Sequence, residues 1–273
     1  MCFHCRFLIK AAFLCSLLLS LGFSHDARAD AEGCTNVRLN GASDWFPIAM
    51  RNRETQTLEG VFPDLAREIL GKLQVSVEAG PELPWKRVLV TLENGGIDMI
   101  TGAYRTEERL EKFAYSVRVT VEEVAVFMRK TMVEQPGRLE DLIGLRGLIP
   151  FGASFGEQFD TFASERLKVE SHPFDDLSMN MRLLLEGKVD YFITSRQDGD
   201  RMIDQLNASD HLDALAWPAM INSVHFLFSR TSPCIHLLEA FDRELEQRIA
   251  AGNVEELTRT YQAAKVEGLS VDD

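Results

Sequence analysis

The sequence predicts an α/β protein of two similar lobes, each a mixed, mostly parallel sheet flanked by helices. Three observations carry this expectation. Strand-like and helix-like segments alternate along the chain, as they do when parallel strands are joined through helices. The stretch LENGGIDMITGAYRTEER (residues 92–109) is nearly repeated as LLEGKVDYFITSRQDGDR (residues 184–201), about ninety residues later. That spacing suits two lobes better than a solenoid, whose repeats run roughly 20 to 50 residues. An extended connection at residues 122–130 and a break around Trp217-Pro218 accompany two crossings between the lobes, at Glu122–Glu123 and near Trp217–Asn222.

The elements follow in order. Residues 37–39 form a short apolar strand, followed by the turn-rich GASDWFP. The helix DLAREILGKL places Leu65, Ile69, Leu70 and Leu73 on one face, with Pro63 and Asp64 suited to its first turn. Residues 74–78 alternate as a strand. Pro84-Trp85 opens the helix WKRVLVTLENG, which ends at Gly95; residues 97–101 are a strand and TEERLEKF is a short charged helix. The pattern restarts after Gln135-Pro136-Gly137: a short helix at 138–142, a strand at 147–151, a helix at 155–167, a strand from Val169 to His172, a helix at 177–186 and a strand at 189–194. SVHFLFSR alternates as a strand, and the chain ends in the helical stretches IHLLEAFDRELEQRIAAG and NVEELTRTYQAAK.

The first residues read as a leader rather than as structure. Arg6 and Lys10 precede an apolar run too short to cross a bilayer, and Ala27-Arg28-Ala29 provides an A-x-A cleavage site, so residues 1–29 are expected to be removed on export. Cys2, Cys5 and Cys15 leave with the leader. Cys34 and Cys234 remain, and in an oxidising compartment they read as one disulfide, two free thiols being the alternative. The loop-entropy model assigns a bond closing so long a loop up to roughly 5 kcal/mol.

The formal charge is -13. The leader carries a net +2, so its removal leaves about -15. That acidity argues against nucleic acid or an anionic membrane as partner, while permitting a local basic pocket. The histidines are scattered without metal-ligand spacing, and neither a metal nor a cofactor is expected.

Taken together, DWFPI, LEGVFPDLAREIL, PWKRVLVTLENGGIDMITG, TEER, the GASF turn and LLEGKVDYFIT make the chain resemble the extracellular solute-binding proteins of family 3. The resemblance implies a type II periplasmic-binding fold with lobe 1 at 30–121, lobe 2 at 122–221 and a return to lobe 1 over 222–273. It implies a monomeric periplasmic receptor, not an enzyme, that holds a small polar, carboxylate-bearing ligand (amino-acid-like or an organic acid) for the permease of an ABC importer.

In the resembled family the arginine of T-E-x-R grips the ligand carboxylate, a planar fork meeting a planar acceptor. Here it is Arg109; the other reading is a solvated helix arginine paired with Glu108 or Glu111. Backbone groups at Thr101, Gly102 and Tyr104 are expected to line the same wall, with Trp45 and Trp85 covering the ligand or packing in the core. Gly152-Ala153-Ser154-Phe155 matches a turn that presents backbone amides and a hydroxyl at a helix start, which suits an anion or a simple Ser cap. One position departs from the family: Ser195 stands where amino-acid receptors carry the aspartate that meets the ligand ammonium. Asp198 and Asp200 follow it as possible substitutes, while Asp98 and Asp190 are expected to fix loops rather than touch ligand.

Two enzymatic readings compete. Gly152-Ala153-Ser154-Phe155-Gly156 fits G-x-S-x-G, with His225 downstream, as in a hydrolase nucleophile elbow. A dehydratase acting on prephenate-like acids shares the resembled fold, and a ligand-sensing orphan receptor is a further alternative.

Overall fold

The computed structural model describes residues 33–132, 135–171 and 177–269. The expected leader, its cleavage after Ala29 and the end of the strand at His172 lie outside them. β1 (Asn36–Asn40) precedes a small sheet of β2 (Asp44–Trp45), β3 (Ala49–Arg51) and β4 (Leu58–Glu59). α1 (Val61–Lys72), β5 (Ser76–Ala79), α2 (Trp85–Glu93), β6 (Met99–Tyr104), α3 (Glu107–Lys112) and β7 (Phe113–Tyr115) complete a first set. β8 (Thr120–Arg129) leads to a second: β9 (Arg146–Leu148), α4 (Glu157–Arg166), β10 (Lys168–Glu170), α5 (Leu177–Leu185), β11 (Tyr191–Ser195), α6 (Arg196–Gln205) and β12 (Leu212–Ala214). β13 (Met220–Ser229) returns, and α7 (Leu238–Ala250) and α8 (Asn253–Leu269) close the chain.

The main sheet runs β10-β9-β11-β8-β13-β6-β1-β5, with β12 paired to β8 and β7 to β13. β1 lies parallel between β5 and β6, and β9 lies parallel between β10 and β11. The two halves are thus built to one plan. β8 and β13 join them antiparallel, Thr120–Val124 against Val224–Met220. Beyond this ladder β8 pairs with β11 and β13 pairs with β6. The segment expected as an extended connection at 122–130 is therefore a full central strand.

The repeated stretches build one device twice. In the first half Arg38 of β1 donates from its amide (2.8 Å), Nε (2.8 Å) and Nη2 (2.8 Å) to Asp98, and from Nη2 to the Gly95 carbonyl. In the second half Arg146 of β9 does the same to Asp190 and the Gly187 carbonyl. Each clamp fastens the turn before β6 or β11 to the start of the neighbouring parallel strand. Asp98 and Asp190 hold loops, as expected.

α1 buries Phe62, Leu65, Ile69 and Leu70 in the larger core, where Phe226 stacks between Phe62 and Phe241. Cys34, just before β1, is bonded to Cys234 in a 3-10 turn at Pro233–Leu237. That turn splits off the first residues of the long terminal helix expected from sequence. α6 was not legible in RQDGDRMIDQ, whose Gly and Asp disfavour helix interiors. Packing requires that glycine: a Cβ on Gly199 would lie 2.0 Å from the Phe127 ring.

Burial opposes the charge on Asp98 most strongly, yet the bonds from Arg38 and Ser232 outweigh it and hold the pKa below the ordinary value. Bonds from Arg146 hold Asp190 low as well. Both carboxylates therefore stabilise the fold above pH 3.8, and that contribution is lost as pH falls through their folded values. Urea denaturation at pH 7 should show Asp98→Asn costing about 2–4 kcal/mol and the more exposed Asp190→Asn about 1–2 kcal/mol. Both gaps should narrow on acidification below pH 3.8; gaps that persist there would show the charges are not responsible.

Candidate ligand-binding site

Two helix caps aim opposite charges at one space. At the end of β6, Thr106 caps α3 by accepting from the Arg109 amide at 3.2 Å, which places Arg109 in the first turn. At the end of β11, Ser195 caps α6 by accepting from the Asp198 amide at 3.1 Å, and Asp198 takes the matching place. Both side chains line a cavity of about 790 Å³ whose walls come from both halves of the sheet.

Arg109 is 8% exposed. It donates to the Tyr104 carbonyl at 3.1 Å, and its guanidinium lies 5.7 Å from the Trp85 ring centroid. Among the described residues no carboxylate lies within ion-pair distance of it; Glu108 pairs with Lys112 instead. Burial lowers its pKa, but a guanidinium stays charged. The alternative of a solvated helix arginine is therefore set aside.

The opposite wall is acidic and already engaged. Asp198, 2% exposed, accepts from the Phe46 amide at 3.3 Å, from Arg201 at 2.9 Å and from the Ser195 hydroxyl at 3.2 Å. Burial raises its pKa to about 6. Arg201 also reaches Asp44 at 3.2 Å. Beneath the wall, Glu122 of β8 accepts from Trp45 Nε1 at 2.9 Å and from the Tyr104 hydroxyl. Burial raises the Glu122 carboxyl to about 7. The Trp45 and Tyr104 rings meet edge-on at 5.1 Å, so this acid fixes two side chains that face the cavity.

Of the residues expected from sequence, Trp45, Trp85, Tyr104, Arg109, Ser154, Phe155 and Ser195 line the cavity. Thr101 and Gly102 do not. Thr101 is buried with its hydroxyl on the Asn40 carbonyl, and a Cβ on Gly102 would meet Ile48 and Trp45 rather than open space. The GASF turn is also altered: the Ser154 hydroxyl (2.6 Å) and Phe155 amide (3.0 Å) both donate to Asp160, whose carboxylate occupies the place expected for an external anion. His225 bonds the Ser116 carbonyl and Ser223, so Ser154 and His225 form no nucleophile–base pair. Asp200 is exposed and is not on the cavity wall.

Arg51, Asp44 and Glu122 were not singled out in the sequence as site residues. Period-two alternation places Glu122 on one strand face with Val124, Val126 and Met128, the pattern of a buried acid. Arg51 and Asp44 sit in strands too short to show any period.

Residues 37–264 match the family model of bacterial extracellular solute-binding proteins, family 3. The chain belongs to this family. No curated protein sequence matches it. Among solved structures, this solute-binding protein is similar to a mutant of ArgBP from T. maritima (TM-score 0.70, 18% identity, 86% of this chain and 99% of that one). A putative binding component of an ABC transporter from Wolinella succinogenes, complexed with lysine, aligns with TM-score 0.68 and 20% identity over 82% of this chain and 94% of that one. The ancestral amino-acid-binding protein AncCDT-1, a precursor of cyclohexadienyl dehydratase, aligns with TM-score 0.66 and 19% identity over 83% and 95%. These likenesses establish the two-lobed type II fold. Among the described residues of the solute-binding protein, no helix is long and apolar enough to cross a membrane.

Glu122 holds its proton more tightly folded than unfolded, so stability falls as pH rises from 4.5 towards 7. Asp198 and Asp242, both raised to about 6, titrate in the same window, so the readout is a difference between proteins. Relative to the parent, Glu122→Gln should gain up to about 3 kcal/mol on moving from pH 5 to pH 8 in urea denaturation. A pH-independent difference would mean that Glu122 is ionised throughout.

Proposed function

We propose that this protein is an exported periplasmic receptor that captures a small carboxylate-bearing molecule between two lobes and delivers it to the permease of an ABC importer. One observation carries the reading: Arg109 is buried on the wall of a ligand-sized cavity and has no carboxylate partner among the described residues. A buried charge of this kind is costly unless it is answered, and a ligand carboxylate answers it with matched geometry.

The proposed second lobe spans 122–221, and β8 and β13 form the paired hinge. Asp44, Trp45 and Phe46 reach across to Arg201, Glu122 and Asp198. These contacts belong to a closed arrangement, and a ligand bridging Arg109 to the facing wall would add to them and shift the population towards closure. The closed monomer then presents the surface that the permease reads. The lysine complex of the Wolinella succinogenes transporter component supports the transport role.

A second reading, a dehydratase, has two supporting observations. The Asp198 carboxyl, raised to about 6, sits on the cavity wall, and one structural neighbour is the precursor of a dehydratase. Incubation with prephenate separates the two: the receptor returns it unchanged, whereas an aromatic product would establish the enzyme.

Ligand discovery by thermal shift over organic acids, amino acids and amines should yield a hit, since a ligand at 100 times its Kd adds about 2.7 kcal/mol. Arg109→Ala should weaken that hit by about 2–5 kcal/mol in calorimetric titration. Unchanged affinity would remove Arg109 from the site.

A further inference from the structure

A second guanidinium lining the cavity has no ion-pair partner among the described residues. Arg51 of β3 lines the cavity and is 8% exposed. It donates from Nη1 to the Gln56 carbonyl at 2.7 Å and from Nη2 to Asn40 Oδ1 at 3.1 Å, both neutral acceptors. Its Nε is buried without a partner among the described residues. The nearby acids make no ion pair with it: Asp44 and Asp198 are both engaged by Arg201, and Glu82 acts on it only through space from an exposed position. The lining therefore carries two buried cations, Arg51 and Arg109, without an ion-pair partner among the described residues, in a chain whose formal charge is -13. Leaving both unanswered away from water is costly, and a ligand with one carboxylate for each guanidinium would answer both.

We propose that Arg51 is a second anion anchor, so that the molecule captured carries two carboxylates, one for each guanidinium. This rests on the receptor reading above and names its ligand class. A monocarboxylate fills the Arg109 seat and leaves Arg51 unmatched.

The test pairs each diacid with a control of the same shape. Titration calorimetry on the purified protein would compare succinate and glutarate with their monoamides, succinamate and glutaramate. The diacid should bind at least about tenfold more tightly than its monoamide, the loss expected for one charge-assisted contact. Arg51→Gln should bring that ratio near unity while leaving monoamide affinity in place, and Arg51→Lys should retain part of the preference. Equal affinities for diacid and monoamide, or a preference that survives Arg51→Gln, would overturn the second anchor. If Arg51→Gln does not fold, the ratio in the parent protein decides alone. Monoamide binding that Arg109→Gln abolishes, without any diacid preference, sinks this inference and spares the receptor. Binding of no carboxylate, or binding indifferent to Arg109→Gln, sinks both.

Discussion

Two strands of ten residues each belong to both halves of this protein. β8 and β13 pair with one another at the centre, and each then continues into the parallel strands of one half. Because the inter-strand bonds of that ladder are made by the backbone, they tolerate the side-chain variety around them. Glu122 and Asn222 face each other in its register, and Val121 and Ile221 are exposed beside them. The parallel strands on either side of that ladder are fastened by helices. Everything else in the molecule is placed relative to that central pairing: the cavity, its two walls and the acid beneath it.

Symmetry of construction and asymmetry of charge together make the site. Each half fastens its third parallel strand with an Arg–Asp clamp and then caps a helix with a hydroxyl, Thr106 in one and Ser195 in the other. The residue three positions past each cap is delivered to the cavity by the same backbone geometry. Arginine stands there in one half and aspartate in the other. The scaffold is duplicated, and the chemistry is not.

The balance of buried charge separates the walls. Asp198 and Glu122 are supplied with protein donors, so both sit in a settled network. Arg51 and Arg109 are supplied mainly with neutral acceptors and an aromatic face. In a medium of low dielectric, cations without an ion-pair partner weigh more on the local potential than charges on the outer surface do.

Much of this was legible in the chain alone. Period and punctuation located α1, α2, β6, β11 and the terminal helices, because each carries its apolar pattern over enough residues to be seen. The duplicated stretch announced the two halves, and the family resemblance pointed to the arginine of T-E-E-R; its Thr106 cap came only with the structure. What lay outside local reach was decided by tertiary contact. α6 is helical despite Gly199 and its aspartates because Phe127 needs the space a side chain would fill. Thr101 and Gly102 face inward because Asn40, Ile48 and Trp45 claim them. Ser154 is tied to Asp160, and Glu122 to residues 77 and 18 positions away, by distances that no periodicity encodes. Sequence settles what each segment prefers to be. Which charges are answered and which are left facing the cavity depends on which segments the fold brings together.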